Sequence, residues 1–181
     1  MKSIIPSGFI VLLSTLLLAG FSQALERDQI QNWVLTLQDI EQWVTENNII
    51  NAEMIDYENP TDIEASMQSA ASRHEAIQDI IAGYGFASSD QWANTGSRII
   101  DAYGAMLLED NEDQSYDDIQ RELDAQLEML AQESALGPEQ QEMIRTQIET
   151  VQAVMARMMS SSEADRASVR AHRDLLDPVF Q

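Results

Sequence analysis

Ser88-Ser89-Asp90-Gln91-Trp92-Ala93-Asn94-Thr95-Gly96-Ser97-Arg98-Ile99-Ile100-Asp101-Ala102-Tyr103-Gly104-Ala105-Met106-Leu107 announces a helix in its first residues and sustains one to its last. Ser88 can cap, and Gln91 three residues on can reach back, the reciprocal pattern that satisfies amide donors left open at a helix start. Trp92, Gly96, Ile99, Tyr103, Met106 and Leu107 then recur every three or four residues, so they share one side of a helix. Gly96 within that stripe would let another helix pack close.

The same pattern continues in both directions. Upstream, Gly83 and Gly85 supply the positive φ that ends a helix and turns the chain. The helix they end starts at Pro60-Thr61-Asp62-Ile63-Glu64, where Thr61 can cap and Glu64 can reach back, and it is expected to run to about Ala82. Its apolar face is Ile63, Met67, Ala70, Ile77, Ile80 and Ile81. A first helix carries Ile30, Trp33, Val34, Leu37, Ile40 and Val44 on one side, widened by Trp43. Asn47-Asn48 weakens it, and a short turn around Ile49 to Ile55 should follow.

Downstream, Glu109 to Gln114 forms an acidic loop and Ser115 a cap. A fourth helix carries Tyr116, Ile119, Leu123, Leu127 and Leu130, with Gly137 as its expected end. Pro138 suits the first turn of a fifth helix, on which Ile144, Ile148, Val151, Met155 and Met158 keep the period. Ser160-Ser161-Ser162 breaks the chain, and a last helix from about Glu163 to Leu176 is expected to end at Asp177-Pro178. No segment alternates as a half-buried strand would. The expected fold is all-α, an antiparallel bundle of about five to six amphipathic helices joined by short connections.

The start of the chain has a different character. Lys2 precedes an apolar run from Phe9 to Ala19, too short to span a bilayer comfortably, and Ser22-Gln23-Ala24 places small residues where a signal peptidase reads. Residues 1–24 are therefore expected to be a cleavable signal peptide and 25–181 a single helical domain of 181 − 24 = 157 residues, periplasmic or secreted. With no cysteine, packing alone must hold that domain, a lipid anchor has no attachment point, and thiolate chemistry is excluded. Lys2 is the only lysine, so the mature domain sets nine arginines against 31 acids, 9 − 31 = −22. A field of that sign repels phosphates, which makes nucleic acid and anionic membrane poor partners. It suits a basic partner or cations, but solubility in a salty or exposed compartment is reason enough for it.

Catalytic and metal signatures are missing or incomplete. His74 lacks a second histidine four residues on, and His172 sits between Arg170 and Arg173, so both read as solvated or capping residues. There is no Gly-x-Ser-x-Gly elbow, and Ser88 and Ser115 are explained as caps. Asp110, Glu112 and Gln114 alternate in the loop 109–118 as calcium ligands would, yet Ser115 stands where an EF-hand turn needs glycine and Arg121 where it needs a bidentate glutamate. Met155, Met158 and Met159 could bind Cu(I) or line an adaptable groove, though the first two also fit the core period. Carboxylate pairs are too abundant to nominate a general acid. Trp33, Trp43 and Trp92 fall on or near apolar faces. No catalytic, cofactor-binding or metal-ligating residue is assigned.

Gly85-Phe86-Ala87, Gln91-Trp92-Ala93, Gly96, Arg98-Ile99-Ile100 and Ala102-Tyr103 resemble the best-marked segment of a family of small exported helical proteins from proteobacteria. Val169-Arg170-Ala171-His172-Arg173 with Leu175 and Val179-Phe180 is similar to that family's close. The resemblance implies an exported helical domain and brings no catalytic residues. Leu136-Gly137-Pro138-Glu139-Gln140 resembles the Leu-Thr-x-x-Gln box of the Spy and CpxP type of periplasmic stress proteins, with glycine in place of threonine. That resemblance implies an all-helical chaperone or signalling inhibitor. The expectation is a non-enzymatic, exported binding or envelope-accessory protein, without cofactor or stable membrane anchor, that takes a protein partner through an apolar helical groove. A Spy/CpxP-like chaperone and a calcium- or copper-binding protein are the alternatives. A bundle of this size can close on itself or leave a stripe for a second copy.

Overall fold

The computed structural model describes residues 24–49, 62–133 and 136–180. Residues 1–23 of the expected signal and 50–55 of the expected turn lie outside the described residues, as does Thr61. Among those described there are eight helices and no strand: α1 Arg27–Glu46, α2 Ile63–Ser72, α3 Glu75–Gly83, α4 Ser89–Glu109, α5 Tyr116–Gln132, α6 Pro138–Met159, α7 Glu163–Ala171 and α8 Arg173–Phe180. The all-α reading holds. The helix count differs because two expected helices are each divided.

The first division falls at Arg73-His74, where His74 is extended at φ −132 and ψ 122. On an unbroken helix Ala71 and Ile77 would lie about 120° apart. The break lets both be buried at 1 % exposure. The second falls at His172, whose N–H is shared between the carbonyls of Ser168 and Val169 while its Nδ1 lies 2.8 Å from Ser168 O. Beyond it α8 runs through Pro178 instead of stopping there. Proline removes one ladder bond, but tertiary contacts hold the segment helical. Phe180 stacks on Tyr103 at 4.6 Å and faces Trp33 at 6.4 Å, and Asp177 accepts from both Tyr103 Oη and Arg173 Nε.

Caps explain most helix starts. Ser88 accepts from the Gln91 N–H and Ser115 from the Asp118 N–H, as their spacing suggests. Gln91 differs in one respect, its side-chain oxygen taking the N–H of Ala87 rather than that of Ser88. At α2 the cap is Asp62, which accepts from the Ala65 N–H at 2.9 Å, and Glu64 accepts instead from Asn94 and Ser97 of α4. Gly137 does not end α5, which stops at Gln132. It precedes α6, where its N–H donates to Gln140 Oε1. Gly85 carries the positive φ, +86, that turns the chain after α3.

Helix α4 is the centre, packed by α1, α2, α6 and α7. Trp92, Ala93, Thr95, Gly96, Ile99, Ala102, Tyr103, Ala105 and Met106 are all buried, which is more than one face of a helix. The small members make room. A methyl group on Gly96 would lie 2.4 Å from both Trp33 Nε1 and Met67 Cε, so α1 and α2 close onto α4 at that glycine. Ile30, Trp33, Ile77, Ile81, Ile99, Met106, Val169 and Leu176 are nearly or fully buried around it. Each such side chain contributes roughly 1.5–3 kcal/mol of hydrophobic stabilisation. Among the described residues the indole N–H groups of Trp33 and Trp92 have no acceptor. Leu107 departs from the expected stripe at 44 % exposure, since it lies about 80° around the helix from Ile99.

Helices α5 and α6 form an antiparallel hairpin, with Gln141 donating to Glu133 O near the connection and Gln152 to Asp124 farther along. The hairpin meets the body chiefly through α6 on α4. Of its described apolar residues only Leu130, Ile148 and Met155 are buried.

Candidate functional site

The most enclosed polar arrangement joins α4, α7 and the segment before α1. Ser162 caps α7 by accepting from the Asp165 N–H at 3.0 Å, which fixes Asp165 at the third helical position. The Asp165 carboxylate then turns inward at 3 % exposure. Arg98 grips it in two-pronged fashion, Nη2 to Oδ1 at 2.7 Å and Nε to Oδ2 at 3.0 Å. The backbone N–H of Leu25 donates to the same Oδ1 at 3.0 Å, and the Ser168 hydroxyl donates to the carbonyl of Leu25. Planar guanidinium and carboxylate groups match in this geometry, which favours arginine over lysine.

Neither Arg98 nor Asp165 was singled out from the sequence as a site residue. Arg98 interrupts a small and apolar helix face one residue before Ile99, a visible signal that an acidic partner must exist. Asp165, three residues after a serine cap, looks like an ordinary capping residue.

A second, more exposed network runs along α7 and α8. Arg166 pairs with Glu109 at 3.1 Å, and Arg170 with Glu109 at 3.0 Å and Asp110 at 3.1 Å. Arg173 reaches Asp110 at 3.5 Å and Asp177 at 3.0 Å. Hydrogen bonds to Glu109, then Asp110, push the Arg170 guanidinium further toward its charged form. The first two acids of the loop 109–118 are thus ion-paired. Three further members bond elsewhere: Asn111 accepts from the Asp113 N–H, Gln114 donates to Glu122, and Asp118 bonds Ser115 and Arg121. Among the described residues no three His, Asp or Glu side chains gather as a metal site would need.

The three methionines have different surroundings. Met155 is buried, Met158 lies over Gly104 of α4, and Met159 lines a cleft with Leu108, Ser115 and Tyr116. His74 occupies the position before α3, its ring 5.1 Å from that of Trp43, and His172 ends α7. Trp33 and Trp92 are enclosed in the core, and Trp43 packs at its edge.

Two surface features remain. A groove of about 680 Å³ between α2, α3 and the start of α4 has a mixed lining, polar at Gln68, Gln78 and Asp90 and apolar at Ala65, Ile81 and Phe86. Gln68 and Asp90 bond across it at 2.6 Å, and Ser72 donates to the carbonyl of Ser69. The other feature is the hairpin. Met129 is 63 % exposed and Met143 62 %, both near the α5–α6 connection, and Val151 is 47 % exposed farther along α6. Val151 was expected to face inward with Ile148, but the flank it occupies has no covering helix among the described residues. The hairpin is acidic: α5 carries Asp117, Asp118, Glu122, Asp124 and Glu128 against Arg121, α6 carries Glu139, Glu142 and Glu149 against Arg145 and Arg157, and Glu139 and Glu142 line a shallow cleft with Met143.

The chain matches no protein-family model, no curated protein and no solved structure. No helix among the described residues is long and apolar enough to cross a membrane.

Proposed function

We propose that this is an exported, non-enzymatic binding or envelope-accessory protein that works in the periplasm or outside the cell and holds a basic, apolar-faced protein segment on the α5–α6 hairpin. The observation that carries the reading is the exposure of Met129, Met143 and Val151 on an element that adds little to the core. Unbranched, polarisable methionine adapts to partners of varied shape, and the surrounding carboxylates favour a segment with lysine or arginine beside its apolar face. Lys2, the apolar run Phe9–Ala19 and Ser22-Gln23-Ala24 support export, as does the resemblance of Gly85–Tyr103 to small exported proteobacterial proteins. The groove between α2, α3 and α4 has no histidine or arginine in its lining.

Titration with a synthetic amphipathic helix bearing lysines beside an apolar face tests the reading. Binding should weaken at high salt and fall at least about fivefold when Met129, Met143 and Val151 are together replaced by glutamine, since each removes an exposed apolar contact. No binding by the unaltered protein would end it. A chaperone of the Spy and CpxP type would use the same surface, and would separate itself by suppressing aggregation of an unfolded client at near-stoichiometric ratio.

A further inference from the structure

Leu25 is 3 % exposed although it precedes the first helix. Its nitrogen rests on Asp165 Oδ1, its carbonyl is held by Ser168, and Arg98 grips the same carboxylate from α4. The residue before it is Ala24, after which cleavage is proposed above. We propose that the α-amino group freed by that cut is an ion-pair partner built into the fold: the Leu25 ammonium seats on Asp165 beside Arg98, and removal of the signal completes this polar centre. The inference rests on the cleavage reading.

The chemistry is that of any peptide hydrolysis. Water gives its hydroxyl to the Ala24 carbonyl and a proton to the Leu25 nitrogen, and the carboxylic acid so formed passes its own proton to the amine. While Ala24 is attached, the Leu25 nitrogen is a neutral amide with one N–H. Afterwards it is a cation with three donors at the same place, and a charge-assisted bond to a carboxylate is about twice as strong as a neutral one. Asp165 can use that charge. Its side chain is 5 % exposed, whereas Arg98 is 26 % exposed and shares its charge with solvent. The register is strict: a cut one residue earlier leaves an amide at position 25, and a cut one residue later removes the buried leucine.

The sequence supplies an unusually clean test. Lys2 is the only lysine, so in the processed chain the Leu25 α-amino group is the sole primary amine. The full chain is expressed for export, purified, and its start read by intact mass. A second form carries one extra alanine between Ala24 and Leu25, so that the processed chain begins with that alanine. Both are treated with an amine-acylating reagent near neutral pH and melted in parallel. The chain starting at Leu25 should acylate at least about tenfold more slowly, because its amine must first open locally, and should melt several degrees higher. In Asp165→Asn the two forms should label and melt alike. A processed start other than Leu25 removes the cleavage reading and the inference with it. A start at Leu25 with labelling and melting equal to the extended form overturns the ion pair alone.

Discussion

Replacing Gly96 by alanine should destabilise the protein, while the same change at Gly104, on the same helix, should not. Alanine gains roughly 0.5–1 kcal/mol over glycine inside a helix, and that gain applies equally at both sites. The surroundings differ. At position 96 the new methyl would stand 2.4 Å from Trp33 Nε1 and Met67 Cε and 2.8 Å from Trp33 Cε2. Met67 can swing its terminal methyl away, but Trp33 is a rigid ring at 1 % exposure, so α1 must shift away from α4. Overpacking of this kind costs about 1–3 kcal/mol, which outweighs the helix gain and leaves a net loss of about 1–2 kcal/mol. At position 104 the three atoms nearest the methyl would all belong to Met158, at Sδ 2.5 Å, Cε 2.9 Å and Cγ 3.1 Å. An unbranched, half-buried side chain can rotate, and the net change should lie within about 0.5 kcal/mol of zero or be stabilising. At about 2–4 °C per kcal/mol for a chain of this size, Gly96→Ala should melt roughly 2–8 °C below wild type and Gly104→Ala at or slightly above it, followed by helical circular dichroism. Equal melting of the two variants, or a Gly96→Ala protein as stable as wild type, would refute the close approach of α1 and α2 to α4.

Other outcomes follow from the charges. Arg98→Met should cost about 3 kcal/mol in denaturant unfolding, because it takes the two-pronged guanidinium from the buried Asp165 carboxylate and leaves the Leu25 nitrogen to hold that charge, whereas Arg121→Gln on exposed α5 should change stability by less than about 0.5 kcal/mol. Asp118 is held below the ordinary aspartate range, first by the Ser115 side chain and backbone and then by Arg121. Its contribution to the start of α5 is therefore present above that range and lost as pH falls through its folded value. Backbone amides of Tyr116 to Ile119 should lose hydrogen-exchange protection under those acid conditions, and Asp118→Asn should remove the pH dependence. Raising NaCl from 0.15 to 1 M shortens the screening length from about 8 to about 3 Å, so the excess negative charge should repel itself less and the melting temperature should rise. A flat or falling trend would show that the arginine pairs of α7 and α8 dominate instead.

What could be read in advance followed from local chemistry. The stripes of α1 and α4 repeat every three or four residues, and Ser88 and Ser115 sit where open amide donors need them, so the starts of α4 and α5 and the faces of α1 and α4 are legible from spacing alone. The divisions at Arg73-His74 and His172 were not. Neither carries glycine or proline, and each depends on burial or contacts supplied by residues distant in the chain, such as Tyr103 and Trp33 holding Phe180 beyond Pro178. The exposed residues of the hairpin were half legible. Periodicity placed Val151 on the same side as Ile148, but the number of neighbours available to cover that side is a property of the assembled fold. Arg98 and Asp165 illustrate the same limit, because 67 residues separate them and each has a bland local explanation.

The tie between Leu25 and Asp165 also bears on how fast this protein can fold. Helical domains ordinarily fold quickly because most of their contacts are local. Here the segment before α1 waits for a residue 140 positions away, and Trp33 for Phe180. The entropy of closing such long loops must be met before those contacts reward it. Local helices should therefore form early, while the seating of Leu25 and α8 sets the pace of completion. A chain that completes its fold in this order keeps its two ends apart until late, which would suit the export proposed for it.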